Sequence, residues 1–447
     1  MVLSLFAAAV FSANTTLVNL PADSWYQVPN SKMDAVCMPG LGGFSCWAIA
    51  GAWGGATYNP DDRIMMVWGG GHGDSYDNSM YTFSLDNLNW RRLTDNTGAS
   101  NSLDPQANGD PISRHTYDGL SYITHAKRFF GYNGAIAGNG GGTTIVWTFD
   151  VATKHWYNMN PTGTKPGQNF GGNGGSAYDP VTKNVYYASV DGISAYNFDS
   201  NAWTQKWSFT PQDYAKKRGM VDNSGRILFV VGSKLYAYNL TTNTDVTSSW
   251  TTTGGSSVFS SGQCAADYDS KANQIVGWSG SGGVYALNMT TKVWTQKSGT
   301  GAPTSSCGNG TYGRFHYIPE DNVFVLCNAN ESYMDGYQDV WFYKNTAGGG
   351  TSADKTALRL SNPAFLSAHP NPFGRAAALS FSLDHATTVS LRLFDLSGRM
   401  VKELLKGNQS SGSHEVLLDG AECAPGIYLC KLIAEGREST TRLSLIK

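Results

Sequence analysis

One phrase recurs along most of this chain. A short apolar run ends in a turn carrying Asn or Asp, a second run ends at glycine, a third follows, and a tryptophan opens the fourth. Its fullest form is Arg63 to Trp68, the loop Gly69-Gly70-Gly71-His72-Gly73-Asp74, then Ser79 to Leu85 and Trp90. Units of this kind start near Ser45, Arg114, Gly175, Arg218, Ala266 and Tyr312, the last stopping after Val340-Trp341-Phe342-Tyr343 with no fourth strand of its own. A repeat of roughly 40 to 55 residues with four short strands builds the blade of a propeller rather than a sandwich. The prediction is therefore an all-β, six-bladed β-propeller over residues 21–345, seven-bladed if residues 29–50 or 94–113 hide a degenerate unit. The orphan strand Ser24-Trp25-Tyr26-Gln27-Val28 would supply the missing strand of the sixth blade, since an open ring leaves an unpaired sheet edge.

Composition supports this and removes other classes. With 12% aromatic, 15% charged and 52 glycine residues, the chain is too aromatic for disorder and too rich in glycine for a helical protein. A net charge of −2 offers no field for nucleic acid. Within residues 1–20, the apolar run Val2 to Phe11 followed by Ser12 and Ala13 reads as a secretory signal, although no Lys or Arg precedes it. No other stretch approaches the length of a membrane span. In an exported chain, Cys37 with Cys46 and Cys423 with Cys430 are close enough in sequence to pair, and Cys264, Cys307 and Cys327 would leave one thiol.

Glycine, Thr, Ser and Ala at 346–357 read as a linker, and composition changes at Leu358. The segment 358–447 carries Asn371-Pro372-Phe373, Asp395-Leu396-Ser397-Gly398-Arg399 and Pro425-Gly426-Ile427-Tyr428 in order. Through these elements it resembles the C-terminal sorting domain of proteins exported by the type IX system. That resemblance implies secretion or cell-surface attachment, the type IX machinery as a partner, and a small β-sandwich with no catalytic duty. The preceding ring resembles kelch or galactose-oxidase-like propellers through Gly69 to Asp74, Arg114-His115-Thr116-Tyr117 and Gly313-Arg314-Phe315-His316-Tyr317. This likeness bears on fold more than chemistry.

Propeller geometry then selects a face. In a blade of alternating strands, the loop between the second and third strands shares a rim with the start of the first strand. His72 and Asp74 should thus face Arg114, His115, Arg218, Arg314 and His316, with Tyr117, Tyr312 and Tyr317 nearby. Each has a plainer explanation: a hairpin imidazole bonding a carbonyl, arginines tying blade edges, or Arg218 extending the surface charge of Lys216 and Lys217. His125 and His155 fall in turns or outer strands and are expected to do no chemistry.

These residue types suit β-elimination beside a uronic acid. An arginine fork meets the carboxylate, a neutral imidazole takes the C5 proton, and a phenol or second imidazole protonates the leaving oxygen. Secreted propeller polysaccharide lyases, including ulvan lyases, resemble this chain in fold and in using His, Tyr and Arg. The roles carried over are His72 or His115 as base, with His316 also a candidate, Tyr117 or Tyr312 as acid, and Arg114, Arg218 or Arg314 as clamp beside Asp74. An acidic polysaccharide is the expected partner, a monomer the expected state, and no cofactor is required, though a calcium or zinc ion bracing the channel is compatible. Alternatives are a glycan-binding propeller, a glycoside hydrolase using Asp74, Asp118 or Glu331, and a copper-radical oxidase, for which no cysteine lies beside a candidate tyrosine.

Overall fold

The computed structural model describes residues 14–37, 46–98, 102–167, 174–189, 191–208, 218–222, 226–260, 265–280, 283–304, 309–329 and 339–346 of one compact unit. It describes 367–369, 373–383, 386–395, 398–410, 412–434 and 437–446 of a second. The apolar run at Val2 to Phe11, Cys264, Cys307, Glu331 and nearly all of the 346–357 linker lie outside the described residues.

In the first unit, alternating apolar residues separated by Asn/Asp turns form antiparallel sheets whose strands follow one another in sequence. The first sheet is Gly55–Asn59, Ile64–Trp68, Tyr81–Ser84 and Asn89–Arg92. The second, third, fourth and fifth begin at Leu120–Ile123, Gly175–Asp179, Arg218–Val221 and Ala265–Asp269. The sixth is Phe315–Ile318, Val323–Cys327 and Val340–Lys344, closed by Ser24–Gln27 in the register Trp25 to Tyr343. The orphan strand thus fills the place left open for it. Consecutive first strands touch, and that of the sixth touches that of the first. Many four-stranded antiparallel sheets in such a cycle are the arrangement of a β-propeller.

The core lies between the sheets. Strand alternation sends Phe129 toward Trp68 and Trp156, and Phe130 toward Tyr196 and Trp203. Similar clusters stand between the other neighbours, including Met65, Val67 and Phe83 against Val323, Val325 and Phe342 where the ring closes. Arg63 spans that closure, 2.7 Å from both Asp86 and the fully buried Asp321. Leu17, near the end of the signal-like segment, is buried in the same cluster.

Three local readings are corrected. Residues Trp47–Gly51 are a short helix, so the first inner strand starts at Gly55. Trp250 stands in a 3-10 turn, not a strand. Arg114–His115 is not the first strand of the second sheet but pairs with Ala135–Ile136 in a separate ribbon. Cys37 and Cys46 form a disulfide.

The second unit packs the sheet of Ser367–His369, Ala376–Leu383 and Gly412–Asp419 with that of Met400–Gln409, Thr387–Asp395, Gly426–Ala434 and Arg437–Leu445. Phe373, Phe381, Leu391, Leu393, Leu432 and Leu443 share its core. Cys430 is a buried thiol in that core, so the pairing with Cys423 is not made.

Trp25 is 7% exposed and its ring lies 5.5 Å from Trp278 and 5.0 Å from Tyr343, joining the fifth sheet to the sixth. Trp25→Ala should destabilise the ring by about 3–5 kcal/mol, read as a shifted denaturant midpoint; an unmoved midpoint would show that the strand does not close the ring.

Candidate functional site

The loop Gly71 to Asp74 meets the Arg114–His115 ribbon almost backbone to backbone. A Cβ on Gly71 would stand 2.2 Å from the Arg114 Cα, so only glycine permits the approach. Gly140 closes the other side, where a Cβ would lie 2.7 Å from His72 Cδ2. The ribbon is held by Arg114, which is 1% exposed: Nη2 pairs with Asp104 at 2.8 Å, Nε and Nη1 donate to the carbonyls of Ile112 and Asn133, and the guanidinium lies over Trp68.

This packing stacks His72 on His115, ring centroids 4.8 Å apart and 20° from parallel. His115 Nε2 is 2.7 Å from Asp74 Oδ2. A carboxylate only accepts, so Nε2 carries the hydrogen. Burial pulls the His115 pKa below the ordinary imidazole range, against the opposing pull of Asp74. His72 is exposed, Asp74 half-buried. Tyr117 stands edge-on to His115 at 5.9 Å and to Tyr312 at 5.8 Å, and burial pushes its hydroxyl up to about 12. Trp53, absent from the sequence expectations, packs 4.7 Å from His115. Nothing in sequence marks it, because its run reads as the start of a strand.

The ligand atoms of His72, Asp74 and His115 all lie within 4.8 Å of one another. Two donors bound at about 2.0–2.1 Å to one tetrahedral ion stand ~3.3 Å apart. As placed, the 2.7 Å His115–Asp74 contact is a hydrogen bond rather than two ligands of one ion; with Asp74 turned away and His115 Nε2 freed of its hydrogen, the three could hold a divalent ion. Among the described residues a copper-radical centre finds no such support: Cys327 packs in the cluster at the ring closure rather than with Tyr117 and Tyr312.

The remaining expected residues do not join this mouth. Arg314 is fully buried, its three nitrogens donating to the carbonyls of Gly54, Cys327 and Gly310. Neither Arg314 nor Arg114 has a fork to offer a carboxylate. Arg218 and His316 line a different cavity of about 270 Å³, which continues past Asp267 to Pro60, Thr124, Ser270 and Pro319 at the turns between first and second strands. The physical reason is that His115 rides on a ribbon outside the sheets, whereas Arg218 and His316 belong to first strands and project into the channel. Tyr317 also lines that cavity. Asp118 is 1% exposed and bonded inside the fold, which removes it from a hydrolase pair.

Comparison with known proteins bears on the second unit first. Residues 367–447 match the secretion system C-terminal sorting domain. The chain is secreted or attached at the cell surface through the type IX system. Among the described residues no helix is long and apolar enough to cross a membrane. No curated protein matches the sequence. Among solved structures it is similar to a fungal alcohol oxidase of the AA5 family in complex with copper, at 13% identity and TM-score 0.42, covering 88% of this chain and 85% of that one. It is also similar to a structural genomics protein of unknown function from Bacteroides thetaiotaomicron, at 8% identity and TM-score 0.40, covering 63% of this chain and 67% of that one. Likenesses so distant say nothing of chemistry.

Burial lowers the His316 pKa from 6.5 to about 4. The preference of the fold for the neutral ring is fully present above pH 6.5 and is lost as pH falls from there toward 4, where the unfolded chain takes up a proton and the folded one does not. His316→Gln should flatten the fall in Tm across that window; an unchanged slope would show that another group is responsible.

Proposed function

We propose that this chain is a secreted six-bladed propeller that cleaves a uronic-acid-containing polysaccharide by β-elimination at the His72 mouth. The observation that carries the reading is an exposed imidazole stacked on a second one that a carboxylate anchors, with a phenol against the same ring. His72 fits the base, since its ring is exposed at the mouth and held in place by stacking on His115. Tyr117 fits the acid, since its hydroxyl keeps its proton at neutral pH. His72 takes the C5 proton, the electrons left behind form the C4–C5 double bond, and the C4–O bond breaks onto the glycosidic oxygen, which takes the Tyr117 proton.

The carboxylate of the sugar must also be met, and the arginines proposed for that are spent within the fold. Asp74 and His115, whose hydrogen bond keeps the pair together without a metal, would on exchanging that bond for a divalent ion supply a charge that offsets the carboxylate and makes the C5 proton more acidic. The partly buried Trp53, backed by Tyr117 and Tyr312, gives the mouth an aromatic wall, which also suits a purely binding role.

The assay is ultraviolet absorbance of unsaturated uronate ends, with the full chain on a panel of acidic polysaccharides, with calcium or zinc and with chelator. Turnover should fall about 10²–10⁴-fold in His72→Ala and in Tyr117→Phe, with Tm little changed. Polysaccharide retained on a gel with no new ends would mean a binding module, and turnover surviving both substitutions would refute the assignment of base and acid.

A further inference from the structure

The cavity holding Arg218 and His316 has no part in the elimination described above. Five tyrosines contribute to its lining: Tyr58, Tyr122, Tyr268 and Tyr317, which are 5–8% exposed and packed largely between the sheets, and the half-buried Tyr178, from the first strands of the first, second, fifth, sixth and third sheets. Each hydroxyl is pinned. Tyr58 reaches Glu320 at 3.2 Å, Tyr122 reaches Asp61 at 3.0 Å, and Tyr178 meets His125 Nδ1 at 2.8 Å. Tyr268 and Tyr317 reach Asn273 and Asn322, both at 2.7 Å. The rings are therefore fixed, and five of the six sheets set one such tyrosine before the turn that follows the first strand.

The floor is polar and internally paired. The Arg218 guanidinium lies 3.4 Å from Asp118 and 3.4 Å from Asp267. Those carboxylates also accept from the backbone N–H groups of Gly219 and Tyr317, at 2.8 Å each. With two carboxylates to one guanidinium, the floor has no cation to spare for an anionic ligand. His316 Nδ1 is 3.0 Å from both Asp267 and Arg218, while Nε2 meets no protein group among the described residues; the ring is 22% exposed.

We propose that this funnel is a second saccharide site, open at the opposite rim from His72, that takes one uncharged sugar ring. The C–H face of a pyranose packs on the half-buried Tyr178 ring and the exposed edges of its neighbours, and its hydroxyls meet an imidazole edge that offers a hydrogen bond without charge. A uronate would face Asp118, Asp267 and Glu320 with only a spent arginine to offset them. This site stands whether or not the elimination reading does.

The test is saturation-transfer NMR on the full chain with glucose, galactose, xylose and rhamnose, beside glucuronic acid and glucosamine. At least one neutral sugar should bind, at least 10-fold more weakly in His316→Ala and in Tyr178→Ala, and undiminished in His72→Ala. Tyr178→Phe, which keeps the ring, should retain binding. If the substitution at 316 prevents folding, Tyr178→Ala decides, since its half-buried ring sits toward the rim. The proposal is overturned if no neutral sugar binds, if binding follows His72 instead of His316 and Tyr178, or if glucuronic acid binds better than the neutral sugars.

Discussion

Much of the ring depends on one buried carboxylate. Asp118 lies just before the first strand of the second sheet and accepts from the N–H groups of Ser176 and Gly219, which open the third and fourth. Its partner Arg218 passes the connection to Asp267 in the fifth, and Asp267 to the Tyr317 N–H and His316 in the sixth. Burial pushes the Asp118 carboxyl up to about 7, against the pull of Arg218 and the two N–H groups. A buried charge is tolerable only while its partners stay in place. The first strands of five sheets are therefore tied through one chain of charge-assisted bonds, and the apolar clusters between sheets pack around an axis that is polar.

That axis shapes the two candidate sites. Arg218 cannot act as a free fork, because both of its terminal nitrogens are engaged along the chain of bonds. His316 is drawn into the same network and kept neutral. The His72 mouth is built from different material: a glycine loop, and a two-residue ribbon held by Arg114 and Asp104. Its imidazoles owe their position to close backbone approach, whereas those of the channel owe theirs to ion pairing. The chemistry proposed at one mouth and the recognition proposed at the other can accordingly vary independently.

Several particulars were legible in the residues. The Trp25 strand was recognisable because the last unit lacked a fourth strand and an open edge is unfavourable. The Cys37–Cys46 disulfide followed from short spacing in an exported chain, whereas equal reasoning failed for Cys430, whose side chain points into a sandwich core. Arg114-His115 resembled a strand start and proved to be a ribbon, since the chain turns at Tyr117, with φ of 47°, before the sheet begins. Trp53 gave no signal, because a tryptophan in an apolar run looks the same whether it faces a core or a mouth.

By itself the sequence determined the repeat, its closure by the N-terminal strand and the appended sorting unit, because these rest on periodicity, turn chemistry and edge pairing, which are local. Only the tertiary structure decided which imidazoles and guanidiniums are available. A side chain at the start of a strand can point to the rim or down the channel, and an arginine can meet a ligand or a carbonyl. Those choices are settled by neighbours distant in sequence, as Asp118 with Arg218 and Gly71 with Arg114 demonstrate.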